Sequence, residues 1–167
     1  MFTRGFHKRF SLIAAVLALV MIMAGVVRAE LPQEVRAHSG MVAAAHPLAA
    51  EAGVEILKAG GNAVDAAVAT AFAVGVVEPN ASGLGGEGMM VIYMPDGDKS
   101  TVIDYRSTAP AAAAAALANS RMPNTGWPSV GTPGLVAGLA QALEKYGTMT
   151  LEQVMQPAIR LAEDGFP

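Results

Sequence analysis

Arg106 is the residue of this sequence whose type and position best suit the binding of an anion. It follows the apolar pair Val102 and Ile103, with Asp104 two positions before it. A guanidinium presents a planar fork of N–H groups that can bind a carboxylate through two parallel hydrogen bonds. Two interpretations remain open from position alone: an anion-binding side chain at a strand end, or a solvated arginine paired with Asp104.

The other chemistry-bearing residues form no recognisable site. The histidines, His7, His38 and His46, share no metal-ligand spacing, and the sequence has no cysteine. No G-x-S-x-G elbow and no Walker loop occur, and the acidic residues are scattered rather than paired as glycoside hydrolysis requires. The sequence therefore predicts no metal and no cofactor.

Residues 83–88 read Gly-Leu-Gly-Gly-Glu-Gly and match the dinucleotide-binding pattern G-x-G-x-x-G. That pattern binds pyrophosphate only between a preceding strand and a following helix. Here a helical stretch precedes the glycines and a strand follows, so a nicotinamide or flavin is not expected. Two interpretations remain open, a tight connection or a loop that approaches a ligand closely.

Hydrophobic periodicity and turn residues predict the elements that position these residues. A strand is predicted at 41–45, a helix opens at His46 and Pro47, and Asn62 caps an apolar core helix. A hairpin is predicted from strands at Met89–Met94 and 101–105, followed by a helix or packed loop at 109–118 and a loop at 119–131. Two further helices are predicted, one capped by Thr132 and a last one capped by Thr150. Pro157 should kink or restart the last helix.

The first 29 residues are typical of a secretory signal peptide. Residues 1–10 carry three basic side chains and no acid, 11–27 are apolar, and 27–29 resemble a cleavage site. Residues 30–40 are read as a tether. We expect an exported protein, periplasmic or secreted; an uncleaved membrane anchor is the alternative.

Charge and cysteine content narrow the partners of the exported part. Without residues 1–29 it carries 7 basic and 14 acidic residues, a net charge of −7. Such a surface repels phosphate backbones, so nucleic acid is not expected as a partner. Without cysteine, an exported protein depends on its hydrophobic core for stability.

Residues 40–167 resemble the start of the large subunit of gamma-glutamyltransferases. Six separated motifs agree with that family in order. They are GMVAAAHPLAAEAG (40–53), ILKAGGNAVDAAVAT (56–70), VEP with SGLGG (77–79, 82–86), IDYR with AP (103–106, 109–110), PGLVAGL (133–139) and QPAIRLAE (156–163).

The resemblance implies an α+β chain that forms part of a four-layer αββα N-terminal-nucleophile hydrolase fold, incomplete in this chain. Family members are precursors that cut themselves into two subunits. The new N-terminal Thr of the small subunit attacks a gamma-glutamyl amide, usually glutathione, and the acyl group passes to water, an amino acid or a peptide. The arginine that matches Arg106 binds the donor's α-carboxylate.

Two positions depart from the family pattern. Ser107 stands where members usually have Glu, and Glu87 interrupts a loop that is often all glycine. A carboxylate at Glu87 would disfavour an anionic donor unless it points away. Two alternatives therefore remain open. One is an acylase of the same superfamily that acts on another amide, and the other is a non-catalytic exported binding protein.

No Thr-Thr pair of the kind that supplies the nucleophile occurs here, and Thr132 is read as a helix cap. We therefore expect this chain alone to be inactive, and to act with the remainder of the large subunit and the small subunit. Its roughly three predicted strands are too few for two facing sheets.

Overall fold

A computed structural model describes residues 34–113, 125–126 and 129–167 of the chain. The chain divides into two units, Met1–Ala37 and His38–Pro167. Within the described end of the first unit, Glu34 and Arg36 form an exposed ion pair with 3.0 Å between the charged atoms. The predicted signal peptide, and most of the predictions for residues 109–131, lie outside the described residues.

Four helices and one hairpin make up the described part of the second unit. In chain order they are α1 (Pro47–Lys58), α2 (Ala63–Val77), β1 (Met89–Met94), β2 (Lys99–Asp104), α3 (Leu135–Tyr146) and α4 (Leu151–Asp164). None of these helices combines the length and hydrophobicity that a membrane crossing would need.

Helix α2 is the centre of the core, as its uniformly apolar sequence predicts. Helices α1, α3 and α4 all contact it, and Val68, Ala69 and Ala73 are completely buried. The Asn62 side chain caps its first turn by accepting hydrogen bonds from the Val64 and Asp65 backbone. One part of its surface, at Ala67, stays exposed in the described structure.

Helix α1 begins where its sequence predicts. His46 caps it by accepting the Leu48 N–H at Nδ1 (3.2 Å), and Pro47 occupies the first helical position. The chain leaves the helix through Gly60, whose φ of +94° suits glycine. Ala59, which lies beyond the last helical residue, is exposed.

Asp65 is a buried carboxylate that joins the start of α2 to the connection between α3 and α4. It accepts hydrogen bonds from Thr148 Oγ1 (2.6 Å), Thr148 N (2.9 Å), Met149 N (3.1 Å) and Asn62 N (2.7 Å). Burial opposes ionisation, but the hydrogen bonds outweigh it and hold the pKa of Asp65 below its ordinary value. This cluster fixes two distant parts of the chain to each other.

The hairpin is antiparallel, with Met89 opposite Asp104 and Met94 opposite Lys99. Strand β2 begins two residues earlier than predicted and ends one residue earlier. Ile92 and Ile103 are buried on the face that joins the core. The opposite face is also apolar yet exposed, and it carries Met89, Val91, Tyr93 and Val102.

The strand predicted at residues 41–45 is wrong. These residues have no regular secondary structure, because no described strand lies beside them to complete a hydrogen-bonded ladder. The described sheet therefore has two strands rather than three. Val42 instead packs against the hydrophobic core as a partly buried side chain.

Helix α3 does not begin at the predicted cap, Thr132. Its first helical residue is Leu135, and Gly134 holds the cap position without a side-chain hydrogen bond. Thr132 forms an isolated antiparallel bridge with Thr108, in which the Thr132 N–H donates to the Thr108 carbonyl at 2.8 Å. The extended backbone that this bridge requires keeps Thr132 out of the helix.

Helix α4 carries the predicted capping box, in which Thr150 and Gln153 bond to each other's backbone N–H groups. The helix runs unbroken from Leu151 to Asp164, so the predicted restart at Pro157 does not occur. Proline removes one backbone donor from a helix, and Pro157 lies buried within this one.

Candidate functional site

Arg106 lies two residues beyond the end of β2, and its side chain is 61% exposed. Its backbone N–H donates to Asp104 Oδ1 at 3.0 Å. Its guanidinium, in contrast, forms an ion pair with Glu87, with 2.9 Å between Arg106 Nη2 and Glu87 Oε1. The sequence left open a side-chain pairing of Arg106 with Asp104. In the structure Arg106 pairs instead with Glu87, which belongs to the loop at residues 83–88, called here the glycine loop.

Glu87 is held by the residue next to the arginine. Its Oε2 atom accepts a 2.6 Å hydrogen bond from the Ser107 backbone N–H and a second bond from the Ser107 hydroxyl. These two bonds, together with the Arg106 charge, lower the pKa of Glu87. Glu87 therefore points at the guanidinium and does not turn away from it. The two residues that depart from the family pattern, Glu87 and Ser107, contact each other.

The loop is fixed on both sides of Glu87 by backbone hydrogen bonds. The Gly86 carbonyl accepts from Gly134 N (3.3 Å) and Leu135 N (3.1 Å), so it occupies the N-terminus of α3. On the other side, the Gly88 carbonyl accepts from Tyr105 N at 3.0 Å. The direction of the Glu87 side chain is therefore set by anchored backbone.

Glycine is required in this loop because the backbone packs closely. A Cβ atom at Gly86 would lie 2.9 Å from the Gly83 carbonyl oxygen, and one at Gly88 would lie 2.8 Å from Tyr105 Cε2. The loop is thus the tight connection between α2 and the hairpin, which was one of its two interpretations. It also places a carboxylate beside Arg106.

Tyr105 fixes the chain immediately before Arg106. A Cβ at Gly138 would overlap its ring, and one at Gly134 would overlap its carbonyl group. Burial also raises the pKa of the Tyr105 hydroxyl. This packing role was not identified from the sequence, although glycines at the cap and in the first turn of α3 are a signal of close backbone approach.

The arrangement can bind an anion. A guanidinium has five N–H donors, and within the described residues the Arg106 side chain has one charged partner, Glu87. The described residues contain no cluster of three metal-ligating side chains. Thr132, which follows a glycine, has its backbone in the bridge to Thr108.

Comparison with known proteins gives consistent results. The gamma-glutamyltranspeptidase family model matches residues 49–167. The chain is 47% identical over 137 residues to the glutathione hydrolase proenzyme of Bacillus subtilis (strain 168), covering 77% of this chain and 23% of that protein. It is 44% identical over 140 residues to the acylase ACY 1 proenzyme of Pseudomonas sp. (strain SE83), covering 76% of this chain and 25% of that protein.

Solved structures agree with the sequence matches. The crystal structure of Helicobacter pylori gamma-glutamyltranspeptidase superposes with a TM-score of 0.72 and 39% identity, covering 80% of this chain and 40% of that one. The helices and hairpin are accordingly part of the α+β N-terminal-nucleophile hydrolase fold. The chain spans about a quarter of the length of the curated relatives it matches. With sequence and structure in agreement, the chain belongs to the gamma-glutamyltranspeptidase family.

Proposed function

We propose that this chain is the donor-anchoring part of an enzyme that cleaves gamma-glutamyl amides, glutathione among them. The observation that carries the proposal is the exposed guanidinium of Arg106, held at the end of β2 by a fixed carboxylate. Family membership supplies the reaction class. Local geometry and sequence similarity therefore both support the proposal.

In the proposed mechanism Arg106 binds the α-carboxylate of the donor and thereby fixes the position of its γ-amide. A threonine hydroxyl from the remainder of the enzyme attacks the amide carbon, and the C–N bond breaks as the leaving amine takes up a proton. The resulting ester is then attacked by water, an amino acid or a peptide, which releases the threonine. The binding energy of the carboxylate contributes by orienting the amide.

The remainder of the large subunit and a small subunit are the proposed partners that complete the site. Two observations favour this. The relatives are described as proenzymes and are about four times as long as the matching region. The hairpin is apolar on both faces, and its exposed side carries Val91 and Tyr93. A sheet with two apolar faces needs a covering layer on each side, as a four-layer architecture provides.

A second candidate function is that of an acylase on a different amide. It is favoured by the 44% identity to the acylase of Pseudomonas sp. (strain SE83). A non-catalytic exported binding protein remains the alternative of another class.

The three candidates are separated by assaying the complete purified proenzyme against glutathione and against a glutaryl amide. Release of glutamate from glutathione is the expected result. Activity on the glutaryl amide alone would support the acylase, and activity on neither would support a binding protein.

We also propose that the protein is exported, because residues 1–29 have the basic, apolar and small-residue segments of a signal peptide. Cell fractionation followed by N-terminal sequencing tests this. A periplasmic or secreted protein that begins near residue 30 is expected, whereas a membrane-bound protein retaining Met1 would indicate an uncleaved anchor.

A further inference from the structure

We propose that Glu87 determines donor specificity, by favouring donors that carry an ammonium group beside the carboxylate over donors that carry the carboxylate alone. The inference rests on the proposed function, because it concerns the donor that Arg106 binds. It assigns a role to a residue that the family resemblance would treat as an interruption of the glycine loop.

The charges of Glu87 and Arg106 are complementary to those of an α-amino acid. The carboxylate and guanidinium lie side by side, with 2.9 Å between Oε1 and Nη2. An α-amino acid group carries its carboxylate and its ammonium on one carbon atom. A donor of this kind can place its carboxylate on the guanidinium and its ammonium toward Glu87, so that each charge meets its opposite.

Both groups retain hydrogen-bonding capacity for such a donor. A carboxylate has about four lone-pair positions. On Glu87 the two bonds from Ser107 occupy Oε2, whereas among the described residues Oε1 makes the ion-pair contact with Arg106. The Arg106 guanidinium meets Glu87 through Nη2 alone among the described residues. Its other N–H groups can therefore form the two parallel bonds that a carboxylate accepts.

The charge balance of the site disfavours a donor without the ammonium. Glu87 lies against the guanidinium, so the charges of these two side chains already balance each other. A plain carboxylate donor adds a second negative charge beside Glu87. A zwitterionic donor adds no net charge, so it binds without that repulsion.

Glu87 cannot easily turn away to relieve the repulsion. The carbonyls on either side of it, at Gly86 and Gly88, are hydrogen-bonded to the start of α3 and to Tyr105. Two hydrogen bonds from Ser107 hold its carboxylate end. A side chain fixed at its backbone and at its tip acts as a permanent part of the binding surface.

The test compares two chromogenic anilides in the matured proenzyme, one with a γ-glutamyl group and one with a glutaryl group, which lacks only the α-ammonium. The measured quantity is the ratio of kcat/KM for the two. Glu87→Gln keeps the side-chain size and an acceptor for Ser107 but removes the charge. We expect the ratio to fall about twofold to fivefold, the upper part of the range for an exposed charge contact.

Asp96→Asn is the matched control. It removes the same charge in the exposed turn at the other end of the hairpin, about 20 Å away along six strand residues, and the ratio should not change. If the wild type cleaves the glutamyl anilide but the kcat/KM ratio is unchanged in Glu87→Gln, this inference is overturned and the proposed function is not. A wild type inactive on the glutamyl anilide overturns the proposed function as well.

If Glu87→Gln fails to mature, the wild-type enzyme provides a second measurement. Inhibition constants for L-glutamate and glutarate should differ in favour of glutamate, and the difference should narrow as salt is raised from low to high concentration, because exposed charges are screened. A difference that is absent, or that does not depend on salt, contradicts the role of Glu87.

Discussion

Glu87 Oε1 lies 2.9 Å from Arg106 Nη2, so the glycine loop and the end of β2 meet in one charge pair. Ser107 completes the arrangement with two hydrogen bonds to the other oxygen of Glu87. The two residues that depart from the family pattern are thus each other's partners. An arginine held in this way is prepared to bind an anion with less loss of side-chain entropy.

The first prediction concerns Arg106→Ala in the complete proenzyme. Loss of a charge-assisted contact worth about 1.5–3 kcal/mol should raise the KM for glutathione roughly 10-fold to 100-fold. Steady-state kinetics gives the KM, and gel electrophoresis of the two subunits gives the rate of self-cleavage. Self-cleavage should be unaffected, and Arg106→Lys should fall between wild type and Ala. Equal losses of donor binding and self-cleavage would show that Arg106 is structural.

The second prediction concerns the glycine loop. Gly86→Val should lower the free energy of unfolding by about 1–3 kcal/mol, because the new Cβ would lie 2.9 Å from the Gly83 carbonyl oxygen. Gly85→Val is the matched control, since nothing lies within 4 Å of a Cβ built there. Thermal or urea unfolding measures both variants. Equal stability of the two would remove the argument for close packing at Gly86.

The third prediction concerns the buried carboxylate of Asp65. Asp65→Ala leaves the N–H groups of Thr148 and Met149 without their acceptor, so we expect a loss of about 2–4 kcal/mol in unfolding free energy. Glu144→Ala, on the exposed face of α3, should change it by less than about 0.5 kcal/mol. Urea titrations followed by circular dichroism compare the two. Similar small effects would mean that the cluster does not hold α2 to the α3–α4 connection.

The fourth prediction is the pH dependence of that contribution. The pKa of Asp65 is lowered in the folded state from its ordinary 3.8, so the folded protein favours the ionised form. Its stabilisation is therefore fully present above the unfolded pKa and is lost as pH falls through the lower folded pKa. The difference in Tm between wild type and Asp65→Asn should be constant above pH of about 5 and shrink below about 4. A difference that persists unchanged at pH of about 2 would contradict this.

Local signals in the sequence predict much of the fold. Pro47 and Gly60 mark the ends of α1, Asn62 marks the start of α2, and the turn before Lys99 marks the hairpin. Each of these depends on the conformational preference of one residue or on a side-chain bond a few positions away. Such preferences act within a few residues and can be read without knowledge of tertiary contacts.

The features that were not predicted depend on contacts between distant parts of the chain. Thr132 has the composition of a helix cap, but its bridge to Thr108 decides its conformation. Residues 41–45 have the composition of a strand, but they form none because no described strand lies beside them. In the site, Arg106 is recognisable from its motif, whereas its pairing with Glu87 arises only when the loop folds against β2.

The central claim is that Arg106 binds the carboxylate of the donor, and a crystal structure of the matured enzyme with bound L-glutamate tests it most directly. We expect a ligand carboxylate oxygen about 2.7–2.9 Å from a guanidinium nitrogen of Arg106, with the ligand ammonium on the side of Glu87. A ligand bound elsewhere, with Arg106 directed into solvent, would contradict the account.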